Sequence, residues 1–123
     1  MAQQLADSGA RVILSARNIK SLEAVKAGLS NPESHVVFPL DLETVTGEIA
    51  DITKRLEVFG EIHYLFNNGG LSQRSTASET GIAVDKKIME INYFGNIALT
   101  KALLPIFQKQ GHGHILVVSS IAG

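Results

Sequence analysis

Four places in this 123-residue sequence join a short apolar run to residue types that can bind or react. Residues 62–66 stop abruptly in Asn67, Asn68, Gly69 and Gly70. Residues 11–16 lead to Arg17, residues 35–38 lead through Pro39 and Leu40 to Asp41 and Leu42, and residues 115–118 lead to Ser119 and Ser120. A guanidinium holds anions, a carboxylate accepts hydrogen bonds, and a carboxamide does both. Glycine lets a ligand approach the backbone closely, and hydroxyls donate. Each feature also has a plainer reading. Arg17 suits a solvated loop, Asp41 a turn cap, Asn-Asn-Gly-Gly a left-handed turn, and Ser119-Ser120 the start of a loop. Four such endings in succession make a ligand-binding edge the better reading.

The elements that must position these residues alternate strictly. Residues 2–8 read as a helix stopped by Gly9, and residues 11–16 as a buried strand. Asn18 caps a helix over residues 19–29 with Leu22, Val25 and Leu29 on one face, closed by Gly28 and Asn31-Pro32. Residues 35–38 form a second strand. Thr46 is expected to cap a helix through Val58 that carries Ile49, Ile52, Leu56 and Phe59 in one stripe, and Gly60 ends it. Residues 63–66 form the third strand, and residues 71–81 a polar loop or short mobile helix. A long helix is expected over residues 83–108, with Val84, Ile88, Ile91, Gly95, Ala98, Ala102 and Ile106 spaced by three and four. Pro105 is expected to kink or tighten its last turns, and Gly111 and Gly113 to end it. Residues 115–118 form a fourth buried strand. Alternation, short connections and strands apolar on both faces predict an α/β fold, a doubly wound parallel sheet with helices on both faces. Ligands then bind beyond the carboxyl ends of the strands, where the four endings lie.

Composition narrows the function classes. The formal net charge is −1 and no basic block stands out, so nothing marks a nucleic-acid or anionic-membrane partner. With no cysteine, thiolate chemistry, disulfides and Cys-based zinc sites are excluded. No apolar run is long enough to span a bilayer, and the first residues lack the basic leader and apolar core of a signal peptide. No Gly-x-Ser-x-Gly elbow marks a hydrolase. His35 and His63 begin strands away from the ligand edge, and His112 and His114 flank a turn, so no metal site is expected.

These residues resemble the short-chain dehydrogenase/reductase family. Its Asn-Asn-Ala-Gly after the fourth strand corresponds to Asn67-Asn68-Gly69-Gly70, with Gly in place of Ala. Its Asp-hydrophobic pair corresponds to Asp41-Leu42, its helical Asn to Asn92, and its post-strand Ser to Ser120. The run 67–75 is most similar to the dehydrogenase/reductase member 7 group. The resemblance covers the whole chain and implies a partial Rossmann-type domain over residues 1–123, made of the family's second to fifth strands. The family's first strand, with its Thr-Gly-x-x-x-Gly-x-Gly loop, and the later Tyr-x-x-x-Lys segment have no counterpart here. The family strand order 3-2-1-4-5-6-7 places that first strand centrally, so two half-sheets are expected.

The resemblance further implies hydride transfer between a nicotinamide cofactor and a small carbonyl or alcohol substrate. Ser120 would hydrogen-bond the substrate oxygen. Asn92, at a helix irregularity, would hold through its main chain a water leading to the family's lysine. On periodicity alone Asn92 is equally a polar residue on a solvent face. NAD enzymes place an acid after the second strand to accept from the ribose hydroxyls. Here Ser15-Ala16-Arg17 offers a guanidinium instead, which suits the extra phosphate of NADP(H). Asp41 would meet the adenine amino group, Leu42 the ring, and Asn67, Gly69 and Gly70 the adenosine ribose. The expectation is a fragment of an NADP(H)-dependent oxidoreductase, inactive alone. The alternatives are a short non-catalytic isoform that binds or interferes, and a flavodoxin-like nucleotide binder. The resemblance also implies a parent that forms homo-oligomers and carries an amino-terminal anchor in the endoplasmic reticulum, with this chain itself of soluble type.

Overall fold

The computed structural model describes residues 1–120. The chain forms two compact units, the first from Met1 to Asp41 and the second beginning at Leu42.

In the first unit, helix α1 (Ala2–Asp7) precedes strand β1 (Ile13–Leu14), helix α2 (Ile19–Ala27) and strand β2 (Val36–Val37). Asn18 caps α2 as expected, its Oδ1 accepting the Ser21 N–H at 3.1 Å. Gly9 supplies the positive φ of 91° at which α1 turns away. Strands β1 and β2 are parallel, with Ile13 opposite Val36 and Leu14 opposite Val37. The Leu40 N–H donates to the Ala16 carbonyl at 3.0 Å, so the two chains stay together beyond the formal strands. Ala6, Leu14, Leu22 and Leu29 form the core. Val25, expected on that face, is instead 48% exposed: α2 ends at Ala27, and only a narrow stripe of so short a helix meets the sheet.

His35 is the least expected core residue. It is buried, its Nδ1 accepts the Val12 N–H at 3.0 Å, and its Nε2 lies 2.7 Å from the Ser30 carbonyl. Because Nδ1 accepts, the proton sits on Nε2, and a neutral imidazole satisfies two main-chain groups at once.

The second unit contains α3 (Ile49–Glu57), β3 (Tyr64–Asn67), α4 (Ile82–Met89), a π-helical turn (Glu90–Gly95), α5 (Asn96–Gln110) and β4 (His114–Val117). Thr46 does not cap α3. It lies in a 3-10 turn, Val45–Gly47, and its hydroxyl donates to Glu90 Oε1 at 3.1 Å, while α3 starts later at Ile49. The α3 stripe behaves as its spacing predicts, with Ile52 and Leu56 buried and Ile49 and Phe59 half-buried. Each fully buried aliphatic side chain of this kind contributes about 1.5–3 kcal/mol. Helix α3 packs on α5, and the Thr53 hydroxyl donates to the Ala102 carbonyl at 2.7 Å.

The expected long helix runs from Ile82 to Gln110 but is interrupted by the π turn. It passes through Pro105 and ends at Gly111, whose φ of 84° lets its N–H reach the Phe107 carbonyl at 2.9 Å. Its carboxyl-terminal stripe is buried at Ala98, Ala102 and Ile106, whereas Val84, in α4, is 37% exposed. Strand β3 pairs in parallel with β4 from Tyr64–His114 to Asn67–Val117. The Gln110 side chain clamps the start of this pair, accepting the Ile62 N–H at 3.1 Å and donating to the His112 carbonyl at 2.8 Å.

The fold is thus α/β with two separate two-stranded parallel sheets, β1–β2 and β3–β4. The expected burial of the fourth strand does not hold. Among the described residues β4 pairs with β3 alone, and Ile115, Leu116 and Val117 are 41%, 39% and 72% exposed. A parallel strand is fully buried only when neighbours cover both its edges and both its faces.

Candidate functional site

Strand β3 delivers Asn67 to the end of its sheet, and the Val118 N–H donates to the Asn67 carbonyl at 3.0 Å as the last rung. The Asn67 side chain is buried. Its Nδ2 donates to Thr100 Oγ1 at 3.0 Å, and its Oδ1 has no hydrogen-bond partner among the described residues. Asn92 sits in the π turn and holds the next part of the loop. Its Oδ1 accepts the Leu71 N–H and its Nδ2 donates to the Leu71 carbonyl, both at 2.7 Å. An exposed helical asparagine has therefore become a two-way clamp. Periodicity alone could not reveal this, because Leu71 is 21 residues away.

The glycines are explained mainly by protein contacts. A Cβ on Gly95 would run into the main-chain carbonyl oxygen of Leu42. A Cβ on Gly69 would lie 2.6 Å from Leu42 Cδ1, and one on Gly70 would lie 3.1 Å from Asn92 Oδ1. Leu42 therefore packs against Gly69 and Gly95, and these small residues let helix, loop and Leu42 come together.

Asn67, Gly69, Gly70, Asn92 and Ser120 line one cleft of about 840 Å³. The cleft continues past Thr100 and Leu104 to Ile115, where its wall becomes apolar. Ser120 is exposed at this wall. Arg17 and Asp41 lie in the first unit, one residue beyond the Ala16–Leu40 hydrogen bond, and so share the carboxyl edge of the β1–β2 pair. Arg17 is exposed, and its guanidinium makes no hydrogen bond or ion pair among the described residues.

Two contributors were missed. Asn96 Nδ2 donates to the Gly69 carbonyl at 3.2 Å and to the Asn92 carbonyl at 2.8 Å. Thr100 accepts from Asn67 and donates its own hydroxyl to the Asn96 carbonyl at 2.9 Å. The available signal was the spacing of Asn92, Asn96 and Thr100, three polar residues four apart in a largely apolar helix.

The histidines lie elsewhere. At the start of β3 and β4, Glu61 lies 3.3 Å from His63 and 3.1 Å from His112, whose rings stack with centroids 5.7 Å apart. Among the described residues no group of three His, Asp or Glu side chains could hold a metal ion, and no helix is long and apolar enough to cross a membrane.

Comparison with known proteins places this geometry. The family model described as short chain dehydrogenase matches residues 1–123. Mouse dehydrogenase/reductase SDR family member 7B is 45% identical over 124 residues, covering 94% of this chain and 38% of that protein. Human member 7 is 42% identical over 129 residues, covering 100% and 38%. The chain thus spans about 38% of the length of the curated relatives it matches. Among solved structures, an E. coli oxidoreductase superposes with a TM-score of 0.87 at 29% identity, covering 98% of this chain and 51% of that one. The closed form of serine dehydrogenase complexed with NADP+ superposes with a TM-score of 0.85 at 25% identity, covering 99% and 49%. With its Rossmann-type α/β architecture and its similarity to the member 7 group, the chain belongs to the short-chain dehydrogenase family.

Proposed function

We propose that these residues form part of an NADP(H)-dependent oxidoreductase that interconverts a small carbonyl compound and its alcohol. The observation that carries this reading is the cleft uniting Asn67, Gly69, Gly70, Asn92 and Ser120 at the carboxyl end of a parallel sheet. When bound, the nicotinamide cofactor supplies or accepts the hydride. The donor set fits such a ligand. Arg17 presents a guanidinium without a partner among the described residues where an NAD-specific enzyme would carry an acid, and charge-assisted pairing favours a phosphate there. Asp41 is an acceptor for the adenine amino group, and Leu42 an apolar neighbour for its ring. Asn67, Gly69 and Gly70 would flank the adenosine ribose. The buried Asn67 Oδ1 lacks a donor among the described residues, a cost of about 1–3 kcal/mol that a ligand hydroxyl or a bound water would relieve.

Ser120 would donate to the substrate oxygen and stabilise the charge that develops on it. Asn92 would keep its main-chain carbonyl turned toward a water on the proton path. The clamp on Leu71 supports this role, because it engages the Asn92 side chain and not its main-chain carbonyl. Neither Tyr64 nor Tyr93 is followed by a lysine four residues later, so the 123 residues hold no Tyr-x-x-x-Lys pair and are inactive by themselves on this reading. The substrate and the parent's membrane attachment belong to the same reading only as expectations.

Turnover tests the proposal. In the protein as its native gene encodes it, Ser120→Ala is expected to lower NADPH-dependent carbonyl reduction by about 10²–10³-fold, the usual loss for one preorganised donor. Wild-type activity that survives this change unaltered would remove Ser120 from the site.

A further inference from the structure

The segment after β3 and the helix beside it are joined at three evenly spaced points. Asn67 bonds Thr100, Gly69 bonds Asn96, and Leu71 bonds Asn92. Every second residue of the segment thus meets every fourth residue of the helix, running in the opposite direction. The spacing has a simple cause. Two extended residues advance about 6.6 Å and four helical residues about 6.0 Å, so the two periods nearly match over three contacts. The rungs are also linked along the helix, since Thr100 donates to the Asn96 carbonyl and Asn96 donates to the Asn92 carbonyl.

We infer that Asn96 is a positioning residue that sets the Asn67–Leu71 wall of the cleft and the direction of the Asn92 carbonyl. The inference rests on the proposed oxidoreductase reading for its catalytic consequence, though not for its geometry. One carboxamide nitrogen bridges two carbonyl oxygens, one on the loop and one on the π turn, and so ties the two segments together. The bond from Asn96 fixes the orientation of the Asn92 carbonyl.

The isosteric change Asn96→Asp tests this. It keeps the shape, removes both donated protons and sets a carboxylate against two carbonyl oxygens. Two readouts are needed on the protein as its native gene encodes it. The first is amide hydrogen exchange across residues 67–71, which requires no activity. The second is the kcat and KM for NADPH-dependent carbonyl reduction. Asn96→Asp is expected to speed exchange at Leu71 by tenfold or more and to lower kcat about tenfold, with the melting temperature corrected for separately. Asn96→Gln, which retains the donor on a longer arm, is expected to recover part of both. Thr100→Val is the second variant: it removes the Asn67 rung without adding charge, and is expected to speed exchange at residues 67–69 in the same assay. Unchanged exchange at Leu71 in Asn96→Asp would overturn the inference. So would a fall in kcat that Asn96→Gln does not recover at all. A wild-type protein without NADPH-dependent turnover, in which Asn96→Asp still releases Leu71, would support the positioning role and overturn the oxidoreductase reading instead.

Discussion

At the scale of single residues, the buried imidazole of His35 makes the most exacting demand. Replacing it with alanine leaves the Val12 N–H and the Ser30 carbonyl unpaired in a mostly dry site. His35→Ala is therefore expected to destabilise the protein by about 2–4 kcal/mol, read by urea denaturation, through lost hydrogen bonds and a new cavity. Asp7 sets a pH dependence. Hydrogen bonds first from Ser30 and then from Gln3 hold its carboxyl below the usual aspartate range. A carboxylate whose folded pKa is depressed adds stability above its unfolded value, about 3.9, and loses it as the pH falls through the folded value. Asp7→Asn is expected to lower stability modestly near pH 7, where the carboxylate contributes in full, and to flatten the fall in stability below about pH 4. Local chemistry of this size was partly legible. Asn18 was readable as a cap because its partner, Ser21, is three residues away. His35 was not, because its bond to Val12 spans 23 residues and exists only once β1 and β2 have paired.

At the scale of elements, the π turn explains how one helix serves both core and site. Upstream of it the apolar stripe is poorly buried at Val84, and downstream it is buried at Ala98, Ala102 and Ile106. The turn carries Asn92 onto Leu71 and Gly95 onto Leu42. Two glycines that look alike in the sequence should therefore respond differently. At Gly95 a methyl group meets a main-chain oxygen that cannot move without its chain, so Gly95→Ala is expected to cost about 1–3 kcal/mol. At Gly69 the obstacle is the tip of a leucine side chain, which can rotate, so Gly69→Ala is expected to cost well under that. Thermal unfolding of the two variants side by side measures the difference, and equal losses would contradict the packing described. The helix was legible from its period of three and four, but the π turn was not, because Ile88, Ile91 and Gly95 satisfy that period whether or not a turn is widened. The misplaced cap at Thr46 has the same origin. Threonine has the right chemistry for a cap, yet here Glu90, 44 residues on, holds its hydroxyl.

At the scale of the whole molecule, the alternation of strand and helix was enough to read an α/β chain with parallel pairing, because each strand is apolar and each connection is long enough only for a crossover. The division into two two-stranded sheets followed from the family strand order, which sets one strand between the second and the fourth. The exposure of β4 was not legible, since Ile115, Leu116 and Val117 read as a buried strand wherever covering elements exist. Of the predicted site, Asn67, Gly69, Gly70, Asn92 and Ser120 come together in one cleft, and Arg17 and Asp41 share a sheet edge in the first unit. Strand ends could be read because within each parallel pair the two carboxyl ends lie at the same edge. For the side chains that hold them, Asn96 and Thr100, spacing hinted at a shared helix face but could not give their partners, which are fixed only by tertiary packing. Cofactor choice turns on Arg17, which stands where an NAD-specific enzyme would carry an acid. The most direct measurement is calorimetric titration of NADPH, NADH and FMN against the protein as its native gene encodes it, in wild-type and Arg17→Ala forms. NADPH is expected to bind at least tenfold more tightly than NADH, a difference of about 1.4 kcal/mol or more, and Arg17→Ala to remove this preference. Equal or tighter binding of NADH by the wild type, or binding of FMN and neither nicotinamide cofactor, would contradict it.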